Sequence, residues 1–144
     1  MAMENVSRIE VLLEFGRIWL RDDGIVQVTI DNGAHIRYRE AQKLMETISG
    51  LSRYTSRPIV VDLTQIASIE TSAKLHFIST RTDNHNLCMA MIIASPYGKM
   101  VANLSLLFQH PGCPTRYFNS HEGALHWSGR FQPSQTGAIH TLAA

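Results

Sequence analysis

Apolar side chains occupy every second position through much of the first thirty residues of the chain. Such alternation is typical of strands that are buried on one face, and turn residues interrupt it around Gly16, Gly24 and Gly33. We therefore expect three short strands in an antiparallel meander. Their apolar positions are Ile9, Val11 and Leu13, then Ile18 and Leu20, then Ile25, Val26, Val28 and Ile30.

The spacing of apolar residues changes to three and four after Gly33, which predicts a helix from about Tyr38 to Arg53. The β-branched run 59–63 predicts a strand that is covered on both faces. A loop and a second helix, at about Glu70 to Thr82, are expected to follow. The buried face of this second helix is left open between Ala73, Phe77 and Thr80 on one side and Leu75 and Ile78 on the other.

Strands and helices continue to alternate in the second half of the chain. Residues 87–94 are continuously apolar and predict the central strand. Ser95 and Pro96 favour the start of a third helix, since serine caps helices and proline fits their first position. Residues 116–118 predict a last strand. A last helix is expected to be capped by Asn119 or Ser120 and to turn Ala124, Leu125 and Trp127 inward.

This order of elements predicts the fold class. Strands that alternate with helices need crossover connections and therefore a mainly parallel sheet. We expect a single α/β domain over residues 1–130, with a mixed, mainly parallel sheet, an N-terminal antiparallel meander and about four helices. Residues 131–144 lose the periodicity and are expected to form a weakly ordered tail.

Composition excludes several classes of protein. Of 144 residues, 44% are hydrophobic and 17% are charged, with a net charge of +1, so the chain can bury a core and has no basic surplus for nucleic acid. The basic residues around the first helix, among them Arg37 and Arg39, are interleaved with Glu40 and Glu46 and predict a solvated face. The longest apolar run is eight residues, too short to span a bilayer. We therefore expect a cytoplasmic protein without stable membrane insertion.

Motifs for metals and cofactors are lacking in the sequence. The seven histidines are scattered and form no i, i+4 pair, and no glycine-rich phosphate loop follows a predicted strand. Cys88 and Cys113 lack the CxxC spacing and are too few for a disulfide scaffold. We expect no metal site and no cofactor.

One segment resembles a known family. Residues 60–75, an apolar strand ending in Asp62-Leu63 and followed by a loop and Glu70-Thr71-Ser72-Ala73, resemble the strand, loop and helix start of STAS domains, the sulfate-transporter and anti-sigma-factor-antagonist family. Further likeness to small bacterial STAS-like proteins lies in Ser95-Pro96, in 114–118 and in 124–127. The resemblance covers roughly residues 17–127.

The resemblance implies a non-enzymatic regulatory or protein-interaction module. In switch members of the family, a partner kinase phosphorylates the serine at the position of Ser72, and the phosphate blocks docking onto that kinase. Ser72, with Thr71 beside it, is therefore the candidate phosphorylation site. The candidate docking residues are Asp62, Thr64, Glu70, Lys74 and His76. Two positions depart from the family pattern: Glu70 replaces Asp, and Ala73 replaces Gly.

The same residues allow other interpretations. Thr71 and Ser72 could cap the helix without being modified, because Ser and Thr are ordinary residues of helix starts. Ser72, His76 and Asp62 could also be assembled into a hydrolytic triad, although no nucleophile elbow or oxyanion loop accompanies them. A hydrolase is the last of the functional hypotheses.

Two further hypotheses concern partners. One side of the predicted third helix is almost uncharged and carries Lys99, Ala102, Asn103 and Leu106. This face predicts either self-association as a homodimer, or docking of another partner, or a surface that Ser, Asn and Gln simply keep solvated. Met89, Met91 and Met100 are adaptable enough to line a cavity, so a carrier or sensor of a small apolar or lipid-like ligand is the alternative function.

Overall fold

Six strands form one mixed sheet in the computed structural model, which describes residues 9–52, 55–80, 86–94 and 113–131. The order across the sheet is β1-β2-β3-β5-β7-β8, and a separate two-stranded sheet joins β4 to β6. The strands are β1 (Ile9–Leu13), β2 (Gly16–Leu20), β3 (Val26–Ile30), β4 (His35–Ile36), β5 (Arg57–Asp62), β6 (Ser68–Ile69), β7 (Asn86–Ile92) and β8 (Thr115–Phe118).

Three helices are seen in the described part of the chain, where the sequence predicted about four. They are α1 (Tyr38–Ser52), α2 (Thr71–Thr80) and α3 (His121–Ser128), and a 3-10 turn at Gly129–Phe131 follows α3. The helix predicted to start at Ser95, with Lys99, Met100, Ala102, Asn103 and Leu106, lies outside the described residues, as does the predicted tail beyond Phe131. None of the helices in the described ranges is long and apolar enough to cross a membrane.

The meander and the parallel half of the sheet meet at β3. Strands β1, β2 and β3 pair antiparallel, with Val11 opposite Ile18 and Ile18 opposite Val28. From β3 onward every pairing is parallel, through β5 and β7 to β8. The fold is therefore mixed α/β with a mainly parallel sheet, as predicted. The expectation that residues 87–94 form the central strand is wrong, because β3 and β5 are the middle two of the six described strands in this sheet and β7 lies between β5 and β8.

Alternation along the strands divides the core into two clusters. Helices α1 and α2 cover one face of the sheet, where Val28, Ile59 and Met91 pack. Helix α3 covers the other face, where Ala124 and Trp127 pack on Val60 and Ala90. We call these the α1–α2 face and the α3 face. The apolar stripe predicted for α1 is confirmed by its buried side chains, Ala41, Leu44, Met45, Ile48 and Leu51.

The two cysteines lie in different core clusters. Cys88 packs on the α3 face and Cys113 on the α1–α2 face, and neither cysteine forms a disulfide. Burial, with a smaller contribution from the nearby Cys113, raises the pKa of the Cys88 thiol to about 12. The thiol therefore stays protonated and unreactive near neutral pH.

Candidate functional site

The small sheet of β4 and β6 places the first turns of α1 and α2 side by side. Ile36 lies opposite Ile69 in this parallel pair, and the Glu70 N–H donates to the Ile36 carbonyl oxygen at 2.9 Å. Each strand leads almost directly into a helix, so both helices begin at the same place. We call this surface the paired helix starts. It comprises His35, Arg37, Tyr38, Ser68, Glu70, Ser72 and His76.

Three side-chain contacts cross between the two helix starts. His35 Nδ1 lies 2.7 Å from Ser68 Oγ, and Arg37 Nε lies 3.6 Å from Glu70 Oε2. Further along, the rings of Tyr38 and His76 meet edge to face with their centroids 5.1 Å apart. The contacts follow the register of β4 and β6 in sequence order.

Ser72 is exposed at the second position of α2. Its hydroxyl donates to Glu70 Oε1 at 3.4 Å, and the Glu70 carbonyl oxygen accepts the first helical hydrogen bond, from the Lys74 N–H at 3.1 Å. The residue in the N-cap position of α2 is therefore Glu70, not Thr71 or Ser72. The Ser72 hydroxyl is directed towards a carboxylate and is open to solvent.

The buried face of α2, which the sequence left open, is the one that carries Ala73 and Phe77. Ala73 is fully buried and Phe77 nearly so, whereas Leu75 is 52% exposed. Because the Ala73 methyl group packs into the α1–α2 core, it does not obstruct an approach to Ser72 from solvent. The replacement of the family's glycine therefore leaves the outer surface of this helix start open.

Asp62 belongs to a second cluster, at the end of β5. Its Oδ1 accepts hydrogen bonds from the Thr64 N–H at 2.9 Å and the Thr64 hydroxyl at 2.7 Å, and its Oδ2 lies 2.9 Å from Nε2 of His121. Partial burial acts to raise the pKa of Asp62, but the hydrogen bonds from Thr64 and His121 outweigh it and lower the pKa below its ordinary value of 3.8. The carboxylate thus ties β5 to the first turn of α3.

The structure divides the predicted docking residues between two places. Glu70, Lys74 and His76 lie on or beside α2, and Asp62 and Thr64 lie in the cluster with His121, on the side of α3. The three residues of the hypothetical triad have different neighbours. Ser72 donates to Glu70, the His76 ring packs against Tyr38, and the Asp62 carboxylate bonds Thr64 and His121.

The methionines expected to line a ligand cavity are tightly packed where they are described. Met89 and Met91 border an apolar cavity of about 20 Å³ between the sheet, α1 and α2. This volume holds about one water-sized molecule. Pockets for small ligands are typically about 300–1,000 Å³. Met100 lies outside the described residues.

Sequence reasoning missed the partners that complete both clusters. The two-residue strands β4 and β6 are too short to produce a periodic signal, so nothing indicated that Arg37 and Tyr38 would lie beside α2. His121 follows the predicted cap Ser120, which does accept a hydrogen bond from the Gly123 N–H at 3.1 Å. Its contact with Asp62 joins residues 59 positions apart, a separation that no local pattern reports.

Comparison with known proteins places this fold in a family. The model of a domain of unknown function, DUF7793, matches residues 18–132. The chain belongs to the DUF7793 family. A search of the curated proteins finds no match.

Among solved structures, the chain is similar to an uncharacterised protein of the DUF3478 family, with a SpoIIAA-like fold, from Shewanella loihica PV-4. The TM-score is 0.53 at 12% sequence identity, and the similarity covers 85% of this chain and 92% of the other. The DUF7793 domain therefore has the STAS-like fold that the motif at residues 60–75 predicted. At this identity the similarity is one of fold alone.

Proposed function

We propose that this DUF7793 domain is a non-enzymatic regulatory module that docks a protein partner through the paired helix starts, and that phosphorylation of Ser72 controls the docking. The observation that carries the proposal is the exposed Ser72 hydroxyl at the start of α2 in a STAS-like fold. In the STAS switch proteins that the sequence resembles, this is the position of the regulatory serine.

Exposed apolar and aromatic groups flank this serine and supply contact area for a partner. Tyr38, whose ring meets the half-buried His76 ring, is 46% exposed, and Leu75, next to His76 in α2, is 52% exposed. Tyrosine is among the residue types that are enriched in protein interfaces.

A phosphate on Ser72 would change the surface chemistry of this patch. It adds roughly 1.5 to 2 negative charges next to the Glu70 carboxylate. Docking of a partner would then have to desolvate two adjacent anions, which is costly unless the partner supplies matching cations. Phosphorylation is thus expected to release the partner.

Site-specific photocrosslinking in the source cells tests the docking surface. p-Benzoylphenylalanine at position 75 is expected to give a discrete adduct with a second protein. The same probe at position 126 is the matched control, because His126 is exposed on α3, which covers the opposite face of the sheet from α1 and α2. The Ser72→Glu variant is expected to weaken the adduct formed from position 75.

Equal adducts from positions 126 and 75, or no adduct from position 75, would contradict docking at the paired helix starts. Phosphopeptide mass spectrometry of the protein from the same cells tests the control by phosphorylation. Absence of phosphate from Ser72 under every growth condition would remove the switch and leave a constitutive docking module. Self-association through the helix predicted at 95–110 remains a separate prediction.

A further inference from the structure

We propose that Arg37 is the phosphate-binding residue of this switch, and that it exchanges its ion pair with Glu70 for one with phosphorylated Ser72. The inference rests on the proposed function in one respect, the modification of Ser72. It concerns how the domain itself responds to the phosphate, through Arg37, which directly precedes α1.

The Glu70 carboxylate contacts both Arg37 and Ser72. Its Oε2 lies 3.6 Å from Arg37 Nε, and its Oε1 accepts the Ser72 hydroxyl hydrogen bond at 3.4 Å. One carboxylate thus bridges Arg37 and Ser72. A phosphate carried on Ser72 Oγ would lie within reach of the same guanidinium.

Phosphorylation removes the hydrogen bond from Ser72 to Glu70 and weakens the ion pair between Arg37 and Glu70. Transfer of the γ-phosphoryl group from ATP to Ser72 Oγ releases ADP and the hydroxyl proton, so Ser72 can no longer donate to Glu70. The phosphate dianion then repels the neighbouring carboxylate. Arg37 meets a doubly charged acceptor in place of a singly charged one, and guanidinium groups bind phosphate oxygens with two parallel N–H donors.

The existing ion pair is weak enough to be exchanged. The Arg37 and Glu70 side chains are 59% and 51% exposed, and exposed pairs of this kind contribute little to stability. The Arg37 backbone, in contrast, is held in place. Its N–H donates to Glu40 Oε1 at 2.9 Å and its carbonyl oxygen accepts the Ala41 N–H at 2.9 Å. Only the side chain has to move.

The exchange changes the surface that a partner meets. In the unmodified domain Arg37 neutralises Glu70, and the Tyr38 and His76 rings lie beside a balanced pair. After the exchange, Arg37 is directed to the phosphate and the Glu70 carboxylate is unpaired. The loss of docking would then come from rearranged charge on both helix starts, and not from the added phosphate alone.

The test uses the full chain with phosphoserine installed genetically at position 72, so that no kinase is required. Titration of the phosphate by ³¹P NMR between about pH 4 and pH 8 reports the phosphate's second pKa, which is near 6 in a free phosphoserine. We expect Arg37→Gln to raise this pKa by about half a unit or more, because a nearby cation favours the dianion. Glu70→Gln is expected to lower it.

Arg39→Gln is the matched control, since Arg39, like Arg37, is an exposed arginine at the start of α1, two positions further along the chain. It is expected to leave the phosphate pKa within about 0.2 units of the parent. The imidazoles of His35 and His76 and the ammonium of Lys74 are present in every variant, so their effect is common to all the curves. Circular dichroism checks that each variant is folded.

Equal phosphate titrations for the parent, Arg37→Gln and Arg39→Gln would overturn the role of Arg37. That result would leave the proposed function intact if Ser72 is phosphorylated in cells. Conversely, if protein purified from the source cells carries no phosphate on Ser72, the proposed switch is wrong. The pKa change in Arg37→Gln would still show that Arg37 binds a phosphate installed at this position. The two failures are therefore distinguishable.

Discussion

At the scale of single residues, Asp62 illustrates how a strand-end carboxylate is used inside the fold. The family resemblance placed it on a docking surface, but two hydrogen bonds from Thr64 and one contact with His121 occupy its oxygens. Its side chain is 15% exposed. Asp62 therefore connects β5 to α3, whatever it contributes to a partner.

The depressed pKa of Asp62 predicts a pH-dependent cost for Asp62→Asn. The pKa of this carboxyl group is 3.8 in the unfolded chain and lower in the folded protein. The ionised carboxylate therefore stabilises the fold at pH values above 3.8, and this contribution is lost as the pH falls through the folded pKa. We expect the variant to lose about 1–2 kcal/mol of unfolding free energy at about pH 5. The loss should shrink as the pH falls below 3.8 and the Asp62 carboxylate becomes protonated in the folded protein.

Urea unfolding of both proteins at several pH values measures this difference. Thr64→Val serves as a companion variant, since it removes the hydroxyl donor to Asp62 and keeps the carboxylate. A cost for Asp62→Asn that is the same at about pH 2 as at about pH 5 would show that the ionised carboxylate is not what stabilises this strand end.

Among the helices and strands, α2 and β2 show how a neighbouring element determines which side chains can be buried or accommodated. Helix α2 buries Ala73 and Phe77 and leaves Leu75 outside, a choice that its own sequence did not determine. Strand β2 begins at Gly16, where a Cβ atom would overlap the Thr29 carbonyl oxygen on β3. In both cases, packing against the neighbouring element determines which side chain fits at a position.

The orientation of α2 predicts unequal costs for two apolar truncations. Phe77→Ala removes a core side chain and is expected to destabilise the protein by about 3–4 kcal/mol. Leu75→Ala removes an exposed one and should change stability by less than about 0.5 kcal/mol. Thermal and chemical unfolding measure both, and comparable losses would mean that α2 is rotated about its axis.

The close approach at Gly16 predicts opposite effects for two glycine substitutions. Gly16→Ala is expected to cost about 2 kcal/mol or more, because β2 or β3 must shift to accommodate the methyl group. Gly50 lies within α1 with open space around its Cα, so Gly50→Ala should stabilise the protein by up to about 1 kcal/mol. A neutral Gly16→Ala would indicate that β2 and β3 are not this close.

At the scale of the whole molecule, the sheet has a well-covered middle and less-covered edges. Strand β5 is hydrogen-bonded to β3 and β7, and helices pack on both of its faces. Strand β1 pairs with β2 alone among the described residues, and Ile9 and Leu12 on it are exposed. Local stability is therefore expected to fall from the middle of the sheet to this edge.

Hydrogen exchange tests this gradient. We expect amides of β5 to exchange only through global unfolding and to be protected at least about a hundredfold more than those of β1. Mass spectrometry of peptides that cover 57–62 and 9–13 compares the two strands in one experiment. Equal protection would show that β1 unfolds together with the rest of the sheet.

Much of the fold could be predicted, because local periodicity reports which face of an element is buried. The meander and α1 followed from spacing, and capping chemistry limited the cap of α3 to Asn119 or Ser120, of which the fold uses Ser120. The candidate site could be predicted only in part. Ser72 and Glu70 came from a family motif, whereas Arg37, Tyr38 and His121 reach their partners through contacts between distant segments.

Local patterns in the sequence were enough to predict the meander, α1 and the mixed α/β class of this domain, whereas the two-residue strands β4 and β6 left no signal. Alternation, three-four spacing and turn residues are local properties, and each reports how one segment meets the core. Three features became known with the fold: β7 is not a middle strand, α2 buries Phe77 instead of Leu75, and Asp62 pairs with His121. All three depend on contacts between distant segments, which no single segment encodes.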